Sequence, residues 1–202
     1  VSLLNEHENR LSFTPGRRFN YNNSNYAVLV AIVEMQTGLS FKKYLQKTFF
    51  KPLCMINTYI GLDARKYNQV VNAFQPYRYT FLPLPPSFHN GALGDKGINA
   101  SAKDLYTWFR AVKNNQILSK ESTDLMFNIT NRLGHKYGMG YRTRFSKGKL
   151  TRIYHNGLWD GYRTGLVHLR DDDITLIVLS HTQNRRKFYI QRQSLRKAKQ
   201  IL

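Results

Sequence analysis

The pattern of apolar and polar positions predicts helices in four stretches before residue 129. The run from Tyr26 to Gln36 is apolar on almost every side, so we expect a helix that is buried in the fold. Ser24 or Asn25 is suitably placed to cap its start, and Gly38 to end it. The pattern therefore predicts a first helix of about three turns inside the core.

Three further helices follow from the same pattern and from capping residues. A second, amphipathic helix is predicted to start after Ser40, to continue to about Phe49 and to stop before Pro52. Ser101 opens a third helix from Ala102 to about Lys113, with Asp104 at the positive end of its dipole. A short helix is predicted from Glu121 to Asn128.

The last third of the chain changes to the alternation of strands. Four strands are predicted, at Tyr137 to Phe145, Leu150 to His155, Gly165 to Arg170 and Thr175 to His181. Asp171 to Asp173 forms the turn between the last two. A basic helix is predicted from Arg185 to Leu202. This order indicates an α+β fold, with an antiparallel sheet flanked by helices.

The segment from Gly61 to Lys96 shows no regular period. Its proline-rich run from Phe81 to Phe88 excludes a helix and is a poor central strand. A long loop in a compact domain commonly forms a lid or the wall of a binding site. We expect this segment to form part of a pocket wall.

Composition narrows the classes of protein that are possible. The chain has 202 residues and is 42% hydrophobic, which is too apolar for a disordered basic tail. Cys54 is the single cysteine, which excludes a disulfide scaffold, and we interpret it as a small buried hydrophobe. The longest apolar run, Tyr26 to Val33, falls short of the roughly 20 residues that a bilayer requires.

The charge balance is strongly basic, with 31 Lys and Arg against 12 Asp and Glu and a net charge of +19. Such a charge suits nucleic acid or an anionic membrane. It is spread along the chain, however, so we interpret it as a solvated basic surface and do not expect nucleic acid as a partner. The basic segment from Arg185 to Lys199 favours the alternative, which is binding to nucleic acid or to an anionic membrane.

No motif for a metal or a cofactor is present. The sequence has no C-x-x-C, no H-E-x-x-H and no glycine-rich phosphate loop. Among the scattered histidines, His155 differs because a predicted strand ends in it and Asn156-Gly157 follows directly. A strand edge interrupted by glycine lets the backbone of a ligand approach closely.

Four blocks of sequence, in order, resemble the β-lactamase-related serine hydrolases. They are P-G-R-R-F-N-Y-N-N-S-N-Y-A-V-L-V-A-I-V-E-M-Q-T-G-L-S-F from Pro15, F-F-K-P-L-C-M-I-N-T from Phe49, G-D-K-G-I-N-A-S-A-K-D-L from Gly94 and H-N-G-L-W-D-G-Y from His155. This family includes class C β-lactamases, penicillin-binding D-alanyl-D-alanine carboxypeptidases, and related esterases and peptidases. The resemblance implies a β-lactamase/transpeptidase-like fold and the formation of an acyl ester on serine.

The resemblance also implies roles for particular residues. Tyr21 and Asn23 match the family's Y-x-N motif, so Tyr21 is the candidate acid/base and Asn23 the amide that holds the substrate. His155 matches the first position of the sheet-edge motif and is the second candidate catalytic residue. Gly157 would leave room for the substrate backbone, and the N–H of Leu158 would form half of the oxyanion hole. For Trp159 and Tyr162, which follow, we expect packing in the wall and not substrate stacking.

The chain departs from the family in the motif that carries the nucleophile. The family's S-x-x-K lies many tens of residues before the Y-x-N tyrosine, and the 20 residues before Tyr21 contain none. Later S-x-x-K strings start at Ser40, Ser146 and Ser194, which we interpret as a helix cap, a hairpin turn and a position in the terminal helix. We therefore interpret residues 1–202 as a single partial domain, incomplete at its N-terminus. It is either the C-terminal part of a longer hydrolase or a degraded copy.

His155 stands where β-lactamases have lysine, and histidine is only partly charged at pH 7. This difference favours an esterase or a D-amino-acid peptidase over antibiotic hydrolysis, with a small molecule or a peptide as substrate. A non-catalytic binding module is the alternative, and a basic protein that binds nucleic acid or an anionic surface is the less favoured one. The family implies a periplasmic or cell-envelope location. The sequence leaves the oligomeric state open.

Overall fold

The structure is a computed structural model, and it describes residues 12–61, 71–85, 92–128, 136–183 and 193–197. The helices are α1 (Ser24–Thr37), α2 (Phe41–Leu45), which continues into a π-helical turn (Gln46–Phe50), α3 (Ala102–Lys113) and α4 (Lys120–Asn128). The strands are β1 (Thr58–Ile60), β2 (Phe74–Tyr77), β3 (Thr80–Pro83), β4 (Ile98–Ala100), β5 (Arg142–Ser146), β6 (Lys149–Trp159), β7 (Tyr162–Leu169) and β8 (Ile174–Ser180). Helices followed by an antiparallel sheet confirm the predicted α+β class.

Strands β5 to β8 form one four-stranded antiparallel meander in sequence order, as predicted. The turn at Asp171 to Asp173 lies between β7 and β8. Three strand boundaries were predicted wrongly. Strand β5 begins at Arg142 and not at Tyr137, and β6 continues past His155 to Trp159. Strand β7 begins at Tyr162 and not at Gly165. The chain turns at Asp160 and Gly161, both at positive φ, as a tight hairpin requires.

The main core lies between this sheet and helices α3 and α4. Its buried members are Phe109, Val112, Phe127, Leu150, Ile153 and Leu166. Phe109 and Val112 are three residues apart and therefore share one face of α3, which packs on the sheet. A second cluster under α2 contains Leu45, Phe50, Met55 and Ile60. Trp108 packs against both clusters and so links α3 to the α2 region.

Helix α1 begins two residues before the predicted Tyr26 and ends one residue after Gln36, and it lacks the predicted burial. None of its side chains is buried, and Leu29 and Met35 are 51% and 80% exposed. The prediction was wrong because an apolar sequence is buried only where another element covers it, and no element of the described residues covers this face. The predicted cap is also corrected, since the Asn22 side chain accepts a hydrogen bond from the Ser24 N–H at 2.8 Å. Gly38 ends the helix at φ 65°, as expected.

Two small sheets occupy regions that the sequence did not resolve into strands. Strands β1 and β4 pair with each other, and β2 and β3 form a hairpin inside the segment predicted as an irregular loop. Pro83 ends β3 at the edge of a two-stranded sheet, where the missing N–H of proline is tolerated. The remaining residues of the 61–96 segment, at 62–70 and 86–91, lie outside the described residues.

Cys54 is exposed, which corrects its interpretation as a buried hydrophobe. Its backbone has φ 53°, in the left-handed region that glycine adopts most readily. The family block that this segment resembles has glycine at that position. A turn conformation, and not packing in the core, therefore accounts for the location of this side chain.

The buried Asp104 connects the start of α3 to the preceding loop and strand. Ser101 caps the helix by accepting from the Asp104 N–H at 3.1 Å, as predicted. The Asp104 carboxylate accepts from the Asn57 N–H and the Thr58 hydroxyl, both at 2.8 Å. Two sequence blocks far apart in the chain are joined by these contacts. Of the predicted terminal helix, residues 193–197 are described, and they are helical.

His168 gives the fold a pH dependence whose direction can be predicted. The ring is 2% exposed, its Nδ1 lies 3.0 Å from the Thr175 hydroxyl, and burial followed by the charge of Lys113 lowers its pKa. The unfolded chain takes up a proton near pH 6.5, where the folded chain does not. We therefore expect the free energy of unfolding to fall as the pH drops below about 6.5 in urea titrations.

The pH slope should be smaller in His168→Gln than in the wild type, because the substituted side chain does not titrate. His155 contributes part of the slope, because its pKa is also lowered. An unchanged slope in His168→Gln would contradict the assignment to His168.

Candidate functional site

The candidate site lies at an open edge of the four-stranded sheet. Strand β7 pairs with β6 as far as Trp159, whereas β5 reaches only to the pair Arg142 and Tyr154. Residues 155–159 of β6 therefore have an outer edge with which no described strand pairs. This edge carries the predicted residues His155, Gly157 and Leu158.

The structure brings Tyr21 to this edge. Tyr21 lies in the irregular segment before α1, and its ring stacks on the His155 ring with centroids 6.4 Å apart and planes at 24°. The tyrosine is 46% exposed, so one side of its ring faces solvent. Two residues singled out from distant parts of the sequence thus meet in one place.

Tyr137 also belongs to this group, although the sequence reading missed it. Its hydroxyl lies 3.3 Å from Nε2 of His155, and its ring packs edge-on against the rings of Tyr21 and His155 at 5.8 and 6.1 Å. The sequence pattern predicts Tyr137 as the first residue of a strand, but it lies before β5 and pairs with Arg142 in an isolated bridge. The sequence signal that could have indicated the position of Tyr137 was the pair of glycines that follows it, Gly138 and Gly140.

The first of these glycines places Tyr137. A Cβ on Gly138 would lie 2.0 Å from the carbonyl oxygen of Met126, at the end of α4. Glycine at this position lets the segment run directly against the helix, which carries the preceding tyrosine to the sheet edge.

Arg142 adds a permanent positive charge to the group. Its guanidinium carbon lies 5.4 Å from the ring centre of Tyr21 and 5.6 Å from that of Tyr137, within the range of cation–π contacts. Sequence reasoning missed it because one arginine does not stand out among 31 basic residues.

Burial and charge set the protonation of the group. Burial, and then the charge of Arg142, lowers the pKa of His155, so the imidazole is neutral at pH 7. Burial, and then a hydrogen bond with Tyr26, raises the pKa of Tyr137, so its phenol stays protonated. The arrangement therefore holds a neutral imidazole, a neutral phenol and one fixed cation at the sheet edge.

The predicted substrate-binding residues lie within three positions of Tyr21 or His155 in the sequence. Asn23 stands at the N-cap position of α1, where its carbonyl accepts from the Tyr26 N–H at 3.0 Å while its side chain makes no capping hydrogen bond. The Leu158 side chain is 67% exposed on the open part of β6. A Cβ on Gly157 would lie 2.2 Å from the hydroxyl oxygen of Thr164, its partner on β7. Thr164 therefore fills the space beside Gly157.

The contact between Gly157 and Thr164 allows a test. We expect Gly157→Ala to destabilise the chain by about 1–3 kcal/mol in urea unfolding, because the new methyl meets the threonine hydroxyl. A second change, Thr164→Ala, removes the oxygen and should restore most of that loss in the double variant. An equal loss in the single and the double variants would show that this oxygen is not the obstacle.

The sequence block that begins at Gly94 packs next to the site. A Cβ on Gly94 would lie 2.4 Å from the Tyr26 carbonyl oxygen, so this segment crosses the start of α1 at close range. Lys96 lies 4.2 Å from the ring centre of Trp159 and pairs with Asp95 at 2.5 Å. Tyr162 donates to the Val71 carbonyl at 2.7 Å. These contacts agree with packing roles for Trp159 and Tyr162.

The S-x-x-K strings have structural roles where the structure describes them. Ser40 caps α2 by accepting from the Lys43 N–H at 3.4 Å, as interpreted. Ser146 and Lys149 pair across the β5–β6 turn. Ser194 lies in the short helix at 193–197. Within the described ranges, no group of three or more metal-ligating side chains is present, and no helix is long and apolar enough to cross a bilayer.

Sequence comparison shows that the chain is similar to a bacterial penicillin-binding protein and to bacterial D-aminopeptidases. It is 26% identical over 190 residues to a penicillin-binding protein of Bacillus subtilis, and the match covers 85% of the chain and 41% of that protein. It is 28% identical over 173 residues to a D-aminopeptidase of Brucella ovis, covering 83% of the chain and 32% of the relative. The chain thus spans less than half the length of these relatives.

Comparison of structures gives the same fold. An octameric penicillin-binding protein homologue from Pyrococcus abyssi superposes with a TM-score of 0.76 at 24% identity, covering 90% of the chain and 43% of that protein. D-amino acid amidase from Ochrobactrum anthropi superposes with a TM-score of 0.67 at 15% identity, covering 84% and 53%. The predicted β-lactamase/transpeptidase-like fold is confirmed.

A family model joins these observations. The model described as Beta-lactamase matches residues 7–199, a range that contains all four sequence blocks and the whole candidate site. Its extent covers nearly the entire chain, so the resemblance noted from the motifs is confirmed. The chain belongs to the beta-lactamase family.

Proposed function

We propose that this chain forms one wall of the active site of a serine hydrolase that cleaves an amide or ester through an acyl-enzyme. The observation that carries the proposal is the meeting of Tyr21 and His155 at the open edge of β6. A serine hydroxyl is a weak nucleophile at neutral pH and requires a neighbouring base. In this proposal Tyr21 serves as that acid/base.

The surroundings of Tyr21 support this role. A phenol that takes part in proton transfer gains negative charge on its oxygen for part of the cycle. Arg142, with its guanidinium carbon 5.4 Å from the ring centre, supplies a fixed positive charge beside it. Electrostatic stabilisation of charge that develops in the transition state is the largest single contribution to the rate enhancement of many enzymes. The neutral His155 ring stacks on the other residues of the group and keeps Tyr21 in place.

The open edge of β6 suits a substrate with an extended backbone. The Leu158 N–H is the proposed half of the oxyanion hole, and the Asn23 amide is the proposed contact to a substrate amide. The D-aminopeptidase and the D-amino acid amidase among the relatives support an amide or peptide substrate. Ester cleavage and carboxypeptidase activity remain the alternatives.

The nucleophile is the part of the proposal that lies outside this sequence. We propose that a serine and a lysine in an S-x-x-K motif are supplied from upstream of Val1, and that this chain alone is inactive. The apolar face of α1 supports this, because it is suited to contact with another part of a larger fold. If no such motif exists, a non-catalytic binding module is the second candidate.

Covalent labelling with a serine-directed probe tests the proposal. The DNA upstream of Val1 is read first, and the full-length protein and the 202-residue chain are then treated with the probe. We expect the full-length protein to be labelled and the chain alone not to be. The absence of an in-frame S-x-x-K upstream would exclude the serine hydrolase, and the non-catalytic binding module would then be the remaining candidate. Labelling that survives replacement of both Tyr21 and His155 would show that the proposed site is wrong.

A further inference from the structure

Tyr137 makes a polar side-chain contact with His155, and the surrounding structure holds the tyrosine ring in place. The hydroxyl lies 3.3 Å from Nε2, and the ring is packed by Phe19 at 5.7 Å and by Tyr21 at 5.8 Å. The close passage of Gly138 against α4 fixes the backbone beside it. The contact is therefore set by packing on several sides and not by a single flexible side chain.

The donor on this contact depends on the tautomer of His155. A neutral imidazole carries one N–H, so one ring nitrogen donates and the other accepts. Nε2 faces the Tyr137 hydroxyl, so an N–H on Nδ1 leaves Nε2 to accept from the phenol. The hydrogen bond between His155 and the Asn156 backbone suits this tautomer, because a carbonyl oxygen accepts from a ring N–H.

Tyr26 competes with His155 for the phenolic proton of Tyr137, because a hydrogen bond also joins the two tyrosines. An imidazole nitrogen is a much stronger base than a phenol oxygen, so the proton of Tyr137 is directed to Nε2.

We propose that Tyr137 is a positioning residue, which donates to Nε2 of His155 and holds the imidazole as its Nδ1–H tautomer beside Tyr21. The groups that face this ring are Tyr21, Tyr137 and Arg142, with Tyr26 behind Tyr137. Because the imidazole stays neutral, Arg142 is the cation of this cluster. The value of this arrangement to catalysis rests on the proposed function, but its existence does not.

Two-dimensional 1H–15N spectra of the imidazole rings of the 202-residue chain test the proposal. The His155 signals are assigned by their absence in His155→Gln. In the wild type we expect the Nδ1–H tautomer and a titration midpoint below the usual 6.5. In Tyr137→Phe the ring packing stays but the donor is lost, so the midpoint should rise by about half to one pH unit and the tautomers should mix.

Two controls make the result specific. Tyr26→Phe should keep the Nδ1–H tautomer, and Tyr106→Phe, on the exposed part of α3, should change nothing. An Nε2–H tautomer in the wild type, which needs no variant to be observed, would overturn the proposal. An unchanged His155 titration in a folded Tyr137→Phe would also overturn it. These spectra need no nucleophile, so failure of the labelling experiment leaves this test intact, and the reverse holds as well.

Discussion

Replacing Tyr21 with phenylalanine is expected to lower the rate of labelling of the full-length protein by about 10²–10⁴-fold, the usual contribution of a positioned acid or base. The substitution removes one oxygen and keeps the ring that stacks on His155 at 6.4 Å. The loss should therefore appear in the rate of acylation while the fold and its thermal unfolding stay as in the wild type. Stopped-time labelling with a serine-directed probe measures this rate.

Tyr79→Phe is the matched control for this experiment. Tyr79 lies in the turn between β2 and β3 and is fully exposed, so the same chemical change there should leave the labelling rate unaltered. A Tyr21→Phe variant that labels within threefold of the wild-type rate would exclude Tyr21 as the acid/base and direct attention to Tyr137.

Replacing Phe109 with alanine is expected to have the largest effect on stability. Its side chain is 0% exposed at the centre of the main core, against Ile153 and Leu166 of the sheet. Removing a buried aromatic ring typically costs about 3–5 kcal/mol. A domain is stable by only about 5–15 kcal/mol in total, so the variant should lose a third or more of its free energy of unfolding.

Urea unfolding followed by circular dichroism measures this loss. Tyr106→Ala, three residues earlier on α3 and 44% exposed, should cost less than about 1 kcal/mol in the same experiment. Equal losses in the two variants would mean that the cost does not come from burial of the Phe109 ring in the core.

The helices and the meander were predictable because local signals determine them. Two helices begin at the capping residues Ser40 and Ser101, and α1 ends at Gly38. These contacts lie within one or two turns, and the structure has them. Strand ends were less predictable. His155 looked like the end of a strand because Asn-Gly usually marks a turn, but the turn falls at Asp160-Gly161, where two positive φ values are accommodated.

The site was predictable only in part. The motifs brought out Tyr21 and His155, and their contact is a long-range consequence of the fold that the motif order implied. Tyr137 and Arg142 were missed because their contribution depends on the close passage of Gly138 against α4 and on the early stop of β5. Neither feature leaves a periodic signal in the sequence.

The error on α1 has a different origin. The apolar run correctly predicted a helix, but burial depends on a partner surface, which a helix cannot specify by itself. Val28, Leu29 and Ile32 are 38%, 51% and 46% exposed in the described structure. The roles of Asn23, Gly157 and Leu158 in substrate binding likewise stay predictions.

This exposed apolar face makes the solution behaviour of the chain depend on salt. With a net charge of +19, copies repel one another at low ionic strength and the apolar faces stay apart. At about 0.1 M salt the repulsion is screened beyond roughly 10 Å, whereas apolar association is not weakened. Colloidal stability should therefore decrease as salt is added, which is the reverse of what is seen for proteins held in aggregates by opposite charges.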